Sequence, residues 1–162
     1  MLAEAALAAG DPGLVSHAAD SAEAWARRSG KIRERGIANH ARALVHLAVH
    51  DTLGAMRAFE RGIYSRTLGF TRTNYHLARL HLARGEPRRA ADLLRPALQG
   101  SLESSNYYVT HTEVHQLLAE AYARLGQPDS ALVHRRWIAA ALAQADSGAR
   151  ARLAAAPDAP SR

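Results

Sequence analysis

The chain has 162 residues, a formal net charge of +6, 48% hydrophobic residues and only 6% aromatic ones. Its 36 Ala and 20 Leu are strong helix formers, while Tyr, Phe, Val and Ile are too scarce for an all-β fold. The lack of Cys excludes a disulfide framework, a thiolate metal site, an iron–sulfur cluster and a cysteine nucleophile. No apolar run reaches the ~20 residues of a membrane span. The start, Met1-Leu2-Ala3-Glu4, lacks the basic segment of a signal peptide, so a cytoplasmic protein is expected.

The first element is a short helix over about Leu2 to Ala9, closed by Gly10-Asp11-Pro12. The same Gly-x-Pro recurs as Gly85-Glu86-Pro87 and Gly126-Gln127-Pro128, with a degenerate copy at His50-Asp51-Thr52. Anchored on Gly10, His50, Gly85 and Gly126, the spacings are 40, 35 and 41 residues. Such a linker has a mechanism. Gly just past a helix takes the left-handed conformation that closes it, and Pro suits the first position of the next helix. At His50, Asp51 or Thr52 caps the following helix instead.

The remaining expected helices follow in order: Gly13 to Arg28, Arg33 to Val49, Thr52 to Tyr64, Thr71 to Arg84, Pro87 to Leu98, Asn106 to Leu125 and Pro128 to Ala145. Val114, Leu117, Leu118, Ala121 and Tyr122 recur at three- and four-residue steps, an amphipathic stripe. Pro96 removes a backbone donor and should kink or end its helix. Ser29-Gly30, Ser65 to Gly69 and Gly100 to Ser105 punctuate the pairs. The fold class expected is an all-α solenoid of about four antiparallel helix hairpins. Its units fall at about 1–30, 31–68, 69–105 and 106–145, with a capping helix over 148–156 and a disordered tail over 157–162. The first helix is short and no polar helix precedes it, so either the chain is cut from a longer array or its open end docks onto another copy or domain.

Leu77, Ala78, Gly85, Ala90, Leu94 and Ala97 in the third unit, and Leu118, Ala119, Tyr122, Gly126 and Ala131 in the fourth, resemble the tetratricopeptide repeat (TPR) family. That family has 34-residue helix–turn–helix units with small and large apolar residues at fixed places. The match departs from the family at several points. Asn74 and His115 stand at the family's Trp position, His81 at its Tyr position, and Leu94 and Arg135 at its second-helix aromatic. Leu93 to Leu98, Tyr107-Tyr108-Val109 and Gly126 to Ala131 are also similar to C-terminal repeat regions of bacterial multidomain signalling proteins, namely serine/threonine kinases and transcriptional activators.

The resemblance implies a non-catalytic protein-interaction scaffold, in bacterial signalling or regulation, that binds a peptide or protein segment on the wall formed by its first helices. Carried over residue by residue, that wall presents Arg72, Tyr75, Arg79 and Leu82, then Glu113, Gln116, Glu120 and Arg124, with His40 and Leu44 from the preceding unit. The alternatives are a basic helical domain that contacts nucleic acid, or the C-terminal fragment of a kinase or activator.

The residues themselves supply no reaction. His46/His50 and His111/His115 are spaced to share a helix face, yet neither pair has an identifiable third ligand, so no metal and no cofactor is assigned. His111-Thr112-Glu113-Val114-His115 places its Glu one position too late for the metalloprotease motif. By the resemblance His81 and His115 fall on core positions of the family, where a partly buried ring with a satisfied nitrogen is expected. Arg27-Arg28, Arg88-Arg89 and Arg135-Arg136 are spread over second helices rather than gathered on one face, which argues against a nucleic-acid footprint.

Overall fold

The structure, a computed structural model, describes residues 2–63, 71–99, 109–143 and 148. Among these residues the regular structure is all helical: α1 (Leu2–Ala8), α2 (Pro12–Ser29), α3 (Ile32–Ala48), α4 (Thr52–Gly62), α5 (Thr71–Ala83), α6 (Pro87–Leu94), α7 (His111–Arg124) and α8 (Pro128–Ala143). The helices pack in consecutive pairs, α1 on α2, α3 on α4, α5 on α6 and α7 on α8. The chain divides into two compact units, Met1–Ser65 and Arg66–Arg162. The expected capping helix over 148–156 and tail over 157–162 lie outside the described residues, save residue 148.

One turn geometry closes all four hairpins. Gly10, His50, Gly85 and Gly126 have φ of 70°, 59°, 74° and 70°, the left-handed region. In each turn that residue's N–H donates to the carbonyl three residues back: Gly10 to Leu7, His50 to Leu47, Gly85 to Leu82 and Gly126 to Ala123, at 3.0–3.1 Å. The next N–H reaches five back: Asp11 to Ala6, Asp51 to His46, Glu86 to His81 and Gln127 to Tyr122, at 2.8–2.9 Å. This pair of bonds is the Schellman closure, which satisfies carbonyls that the helix end leaves open.

Side chains reinforce two of the turns in the same way. His46 and Asp51 meet at 2.9 Å (Nδ1 to Oδ2), and His81 and Glu86 at 2.7 Å (Nδ1 to Oε2). Asp51 Oδ1 also accepts the Gly54 N–H at 2.8 Å as the N-cap of α4. The Gly54 amide, helped by His46, holds the Asp51 carboxyl below its ordinary range, and His81 does the same chiefly for Glu86. The expected His46/His50 pair on one helix face is corrected. Helix α3 stops at Ala48, and His50 takes the turn conformation instead.

Alanine sets the helix spacing. In the first unit the buried residues include Ala3, Ala6, Ala19, Ala26, Ala38, Ala41 and Ala43, with Val15, Leu44 and Phe59 as the large ones. In the second, Ala78, Ala90, Ala119 and Ala131 are buried at the close contacts, and Leu77, Leu94 and Leu118 fill the space around them. Small side chains let backbones approach, and dispersion across the dense contact replaces the volume a larger residue would fill.

Two helix boundaries carry information. α6 ends at Leu94, and Pro96 opens a short 3-10 turn over Pro96–Leu98, as a proline without an amide donor requires. α7 begins at His111 rather than near Asn106. Thr110 caps it and forms a reciprocal box with Glu113, while Val109 is buried just before the cap.

The turn account predicts opposite effects at two positions. His50→Gly should stabilise the chain by about 0.5–1 kcal/mol, because the left-handed penalty of a side chain is removed. Gly85→Ala should destabilise it by about 1 kcal/mol, since a Cβ there meets nothing within 4 Å and only the backbone objects. Urea midpoints of the two variants check this, and a destabilised His50→Gly protein would contradict the turn geometry.

Candidate functional site

α5 and α7, the first helices of the two hairpins in the second unit, touch each other. They carry most of the wall residues expected from the sequence. Tyr75 is half-buried against the apolar core of that unit. The Arg79 guanidinium lies over its ring at 5.9 Å to the centroid. Burial raises the Tyr75 phenol above its ordinary range; the Arg79 charge opposes that shift and the Glu113 charge adds to it. The ring is therefore covered by a cation and also feels the charge of the Glu113 carboxylate on α7. Among the described residues no carboxylate forms an ion pair with Arg79, and Gln116 is exposed on α7. Arg72 is half-buried in the first turn of α5.

Other expected wall residues have structural partners. Glu113 closes the cap of α7, accepting the Thr110 N–H at 2.7 Å. Glu120 pairs with Arg124 at 2.5 Å, and Arg124 also donates to the Leu82 carbonyl at 2.7 Å. That second bond occupies a carbonyl in the last turn of α5, where a cation is favourable.

Three expectations need correction. Leu82 is 1% exposed and Leu44 0%, so both are core residues and offer no contact surface. Leu82 stands one helical turn after buried Ala78, and Leu44 one turn after buried Ala41, so each shares the inward face. His40 is turned inward as well, with its Nε2 2.8 Å from Glu4 Oε1 and its ring 5.3 Å from Phe59.

A second constellation, between α7 and α8, joins residues that the sequence reading did not connect. His115 Nδ1 and His134 Nδ1 lie 2.7 Å apart, so one ring donates to the other. Trp137 stacks on His115 with centroids 4.0 Å apart and planes within 5°. Tyr122 lies parallel to His134 at 5.5 Å, again within 5°. The Trp137 ring thus covers the histidine that stands at the family's Trp position, supplied from the other helix of the hairpin. A signal for this existed in the sequence: His115 and Trp137 are each eleven residues from Gly126, so a hairpin folded there brings them level. Burial, then the neighbouring charges of His134 and His111, push His115 down to about 4; burial also lowers His134.

The solved crystal structure of MamA protein is similar to this chain, with a TM-score of 0.56 and 17% sequence identity, covering 83% of this chain and 69% of that one. The likeness is one of fold, and it supports the TPR-like arrangement of helix hairpins. No protein-family model matches the chain, and no curated protein matches it. Among the described residues no helix is long and apolar enough to cross a membrane.

The depressed histidines give stability a pH dependence of known sign. The unfolded chain takes up protons near pH 6.5, while the folded His115 does so only near 4. Between those values the unfolded state binds more protons, so stability is full above about pH 6.5 and falls as the pH drops towards 4. In metal-free buffer the loss over that window should be about 1–3 kcal/mol, read from urea midpoints. His115→Phe should flatten this part of the profile; an unchanged slope would contradict a neutral, buried His115.

Proposed function

We propose that the protein is a non-catalytic protein-interaction scaffold, and that the α5–α7 face of its second unit binds a peptide or protein segment. The observation that carries this reading is Tyr75, a half-buried aromatic with the Arg79 guanidinium over its ring on the partly exposed side of α5. An amphipathic aromatic with a rigid ring makes an anchor, and polar groups around it fix the orientation of what it holds. Arg79 is the charge of this face with no ion-pair partner among the described residues, while Glu113 and Glu120 on α7 are engaged by Thr110 and Arg124. The face suits a segment that brings an acidic group to Arg79 beside Tyr75. Arg72 and Gln116 extend the same face. A role in bacterial signalling or regulation rests on the sequence resemblance to repeat regions of such proteins.

The test uses a peptide selected from a random displayed library on the full chain, then labelled for anisotropy. Tyr75→Ala and Arg79→Glu should each weaken binding about tenfold or more. Arg135→Glu, on exposed α8, should leave it unchanged. Arg124 is a poor probe, because its substitution also removes a hydrogen bond to the Leu82 carbonyl between α7 and α5. Equal affinity of the parent and the Tyr75→Ala and Arg79→Glu variants would remove the assignment.

A further inference from the structure

We propose that His115 and His134 form a two-nitrogen site for a tetragonal transition-metal ion, Cu(II) foremost, that staples α7 to α8. The two rings present the same atom to each other, Nδ1 to Nδ1, at 2.7 Å. In the metal-free pair one Nδ1 carries the shared hydrogen. Moving that proton to Nε2 of the same ring leaves both Nδ1 atoms unprotonated and facing each other, with both rings still neutral and no change in total charge. A small turn of each ring would direct the two lone pairs to an ion beside the line that joins them. Neutral imidazole is the form that binds metal.

The spacing selects the geometry. Two nitrogens at about 2.0 Å from an ion stand about 2.8 Å apart when cis on a square plane, and about 3.3 Å apart on a tetrahedron. The observed separation fits the first with little movement and would have to open by about half an ångström for the second. Tetragonal nitrogen sites are those of Cu(II) and Ni(II), and Cu(II) binds more tightly in the general affinity order. The lack of Cys removes the thiolate donors that would favour other ions.

The surroundings hold the donors in place. Trp137 lies flat on His115 and Tyr122 lies parallel to His134, so both rings are oriented before an ion arrives. His111 stands one turn before His115 on the same face of α7. Its Nε2 is buried with no hydrogen-bond partner among the described residues. The imidazoles of His115 and His134 are the protein donors of the site, and water would complete the plane. The site owes nothing to the α5–α7 face and stands whether or not that face binds a peptide.

Trp137 is the natural reporter. The chain has two tryptophans, so Trp25→Phe leaves Trp137 alone, and a copper ion on His115 would quench it. Titrating that full chain with copper sulfate should give quenching that saturates at one equivalent. His134→Gln in the same background should move the midpoint to about tenfold higher copper or more, while His46→Ala should leave it in place. A second measurement does not depend on any variant: pulsed electron paramagnetic resonance of the unaltered chain with one equivalent of Cu(II) should show two coordinated imidazoles. An unshifted midpoint in a folded His134→Gln protein, or fewer than two coordinated imidazoles, would overturn the proposal.

Discussion

Each hairpin depends on one residue in the left-handed region, followed by an amide that reaches five residues back to the closing helix. This turn consumes few residues and fixes where the second helix starts, so the register across the hairpin is set by the turn rather than by the core. The consequence is visible at Gly126, where residues equidistant from it, His115 and Trp137, stack face to face. It is visible too at His46 and His81, which stand at the same place in their turns and bind the same following acid position, Asp51 and Glu86. A shift of one residue in any turn would move an alanine out of a close contact and bring a larger side chain into it.

Small residues then decide how near the helices lie, and polar side chains take up what the backbone leaves open. Thr110 and Glu113 satisfy the start of α7 and Asp51 the start of α4, and Arg124 adds a second donor to the Leu82 carbonyl near the end of α5. These tasks compete with recognition for the same side chains. On the α5–α7 face Glu113 and Arg124 already hold helix ends. Tyr75, Arg79 and Gln116 have no such duty among the described residues, which is why the binding proposal rests on the first two.

The architecture was legible in the sequence because its key constraint has a narrow residue preference. Left-handed backbone favours glycine, so Gly10, Gly85 and Gly126 announce three turns, and the spacing together with the capping residues Asp51 and Thr52 and the small residue Ala55 locates the fourth at His50. Pro96 announced the end of α6 for an equally local reason. The start of α7 was misread because the apolar pattern extends upstream through Val109, and the capping box at Thr110 and Glu113 is the stronger signal. Leu44 and Leu82 match wall positions of the TPR pattern, but the rotation of α3 and α5 turns them into the core. The His115–His134–Trp137 cluster went unseen because it departs from the family pattern, and only the hairpin register reveals it.

Among the described residues all four hairpins close by the same backbone geometry, His50 included. Hydrogen exchange measured amide by amide on the native chain tests it directly. The N–H groups of Asp11, Asp51, Glu86 and Gln127 lie just past helix ends, where exchange is ordinarily fast. If each is held by a carbonyl five residues back, all four should exchange as slowly as the last amides of the helices they close. Exchange of these amides at the rate of open loops, at Asp51 above all, would contradict the account.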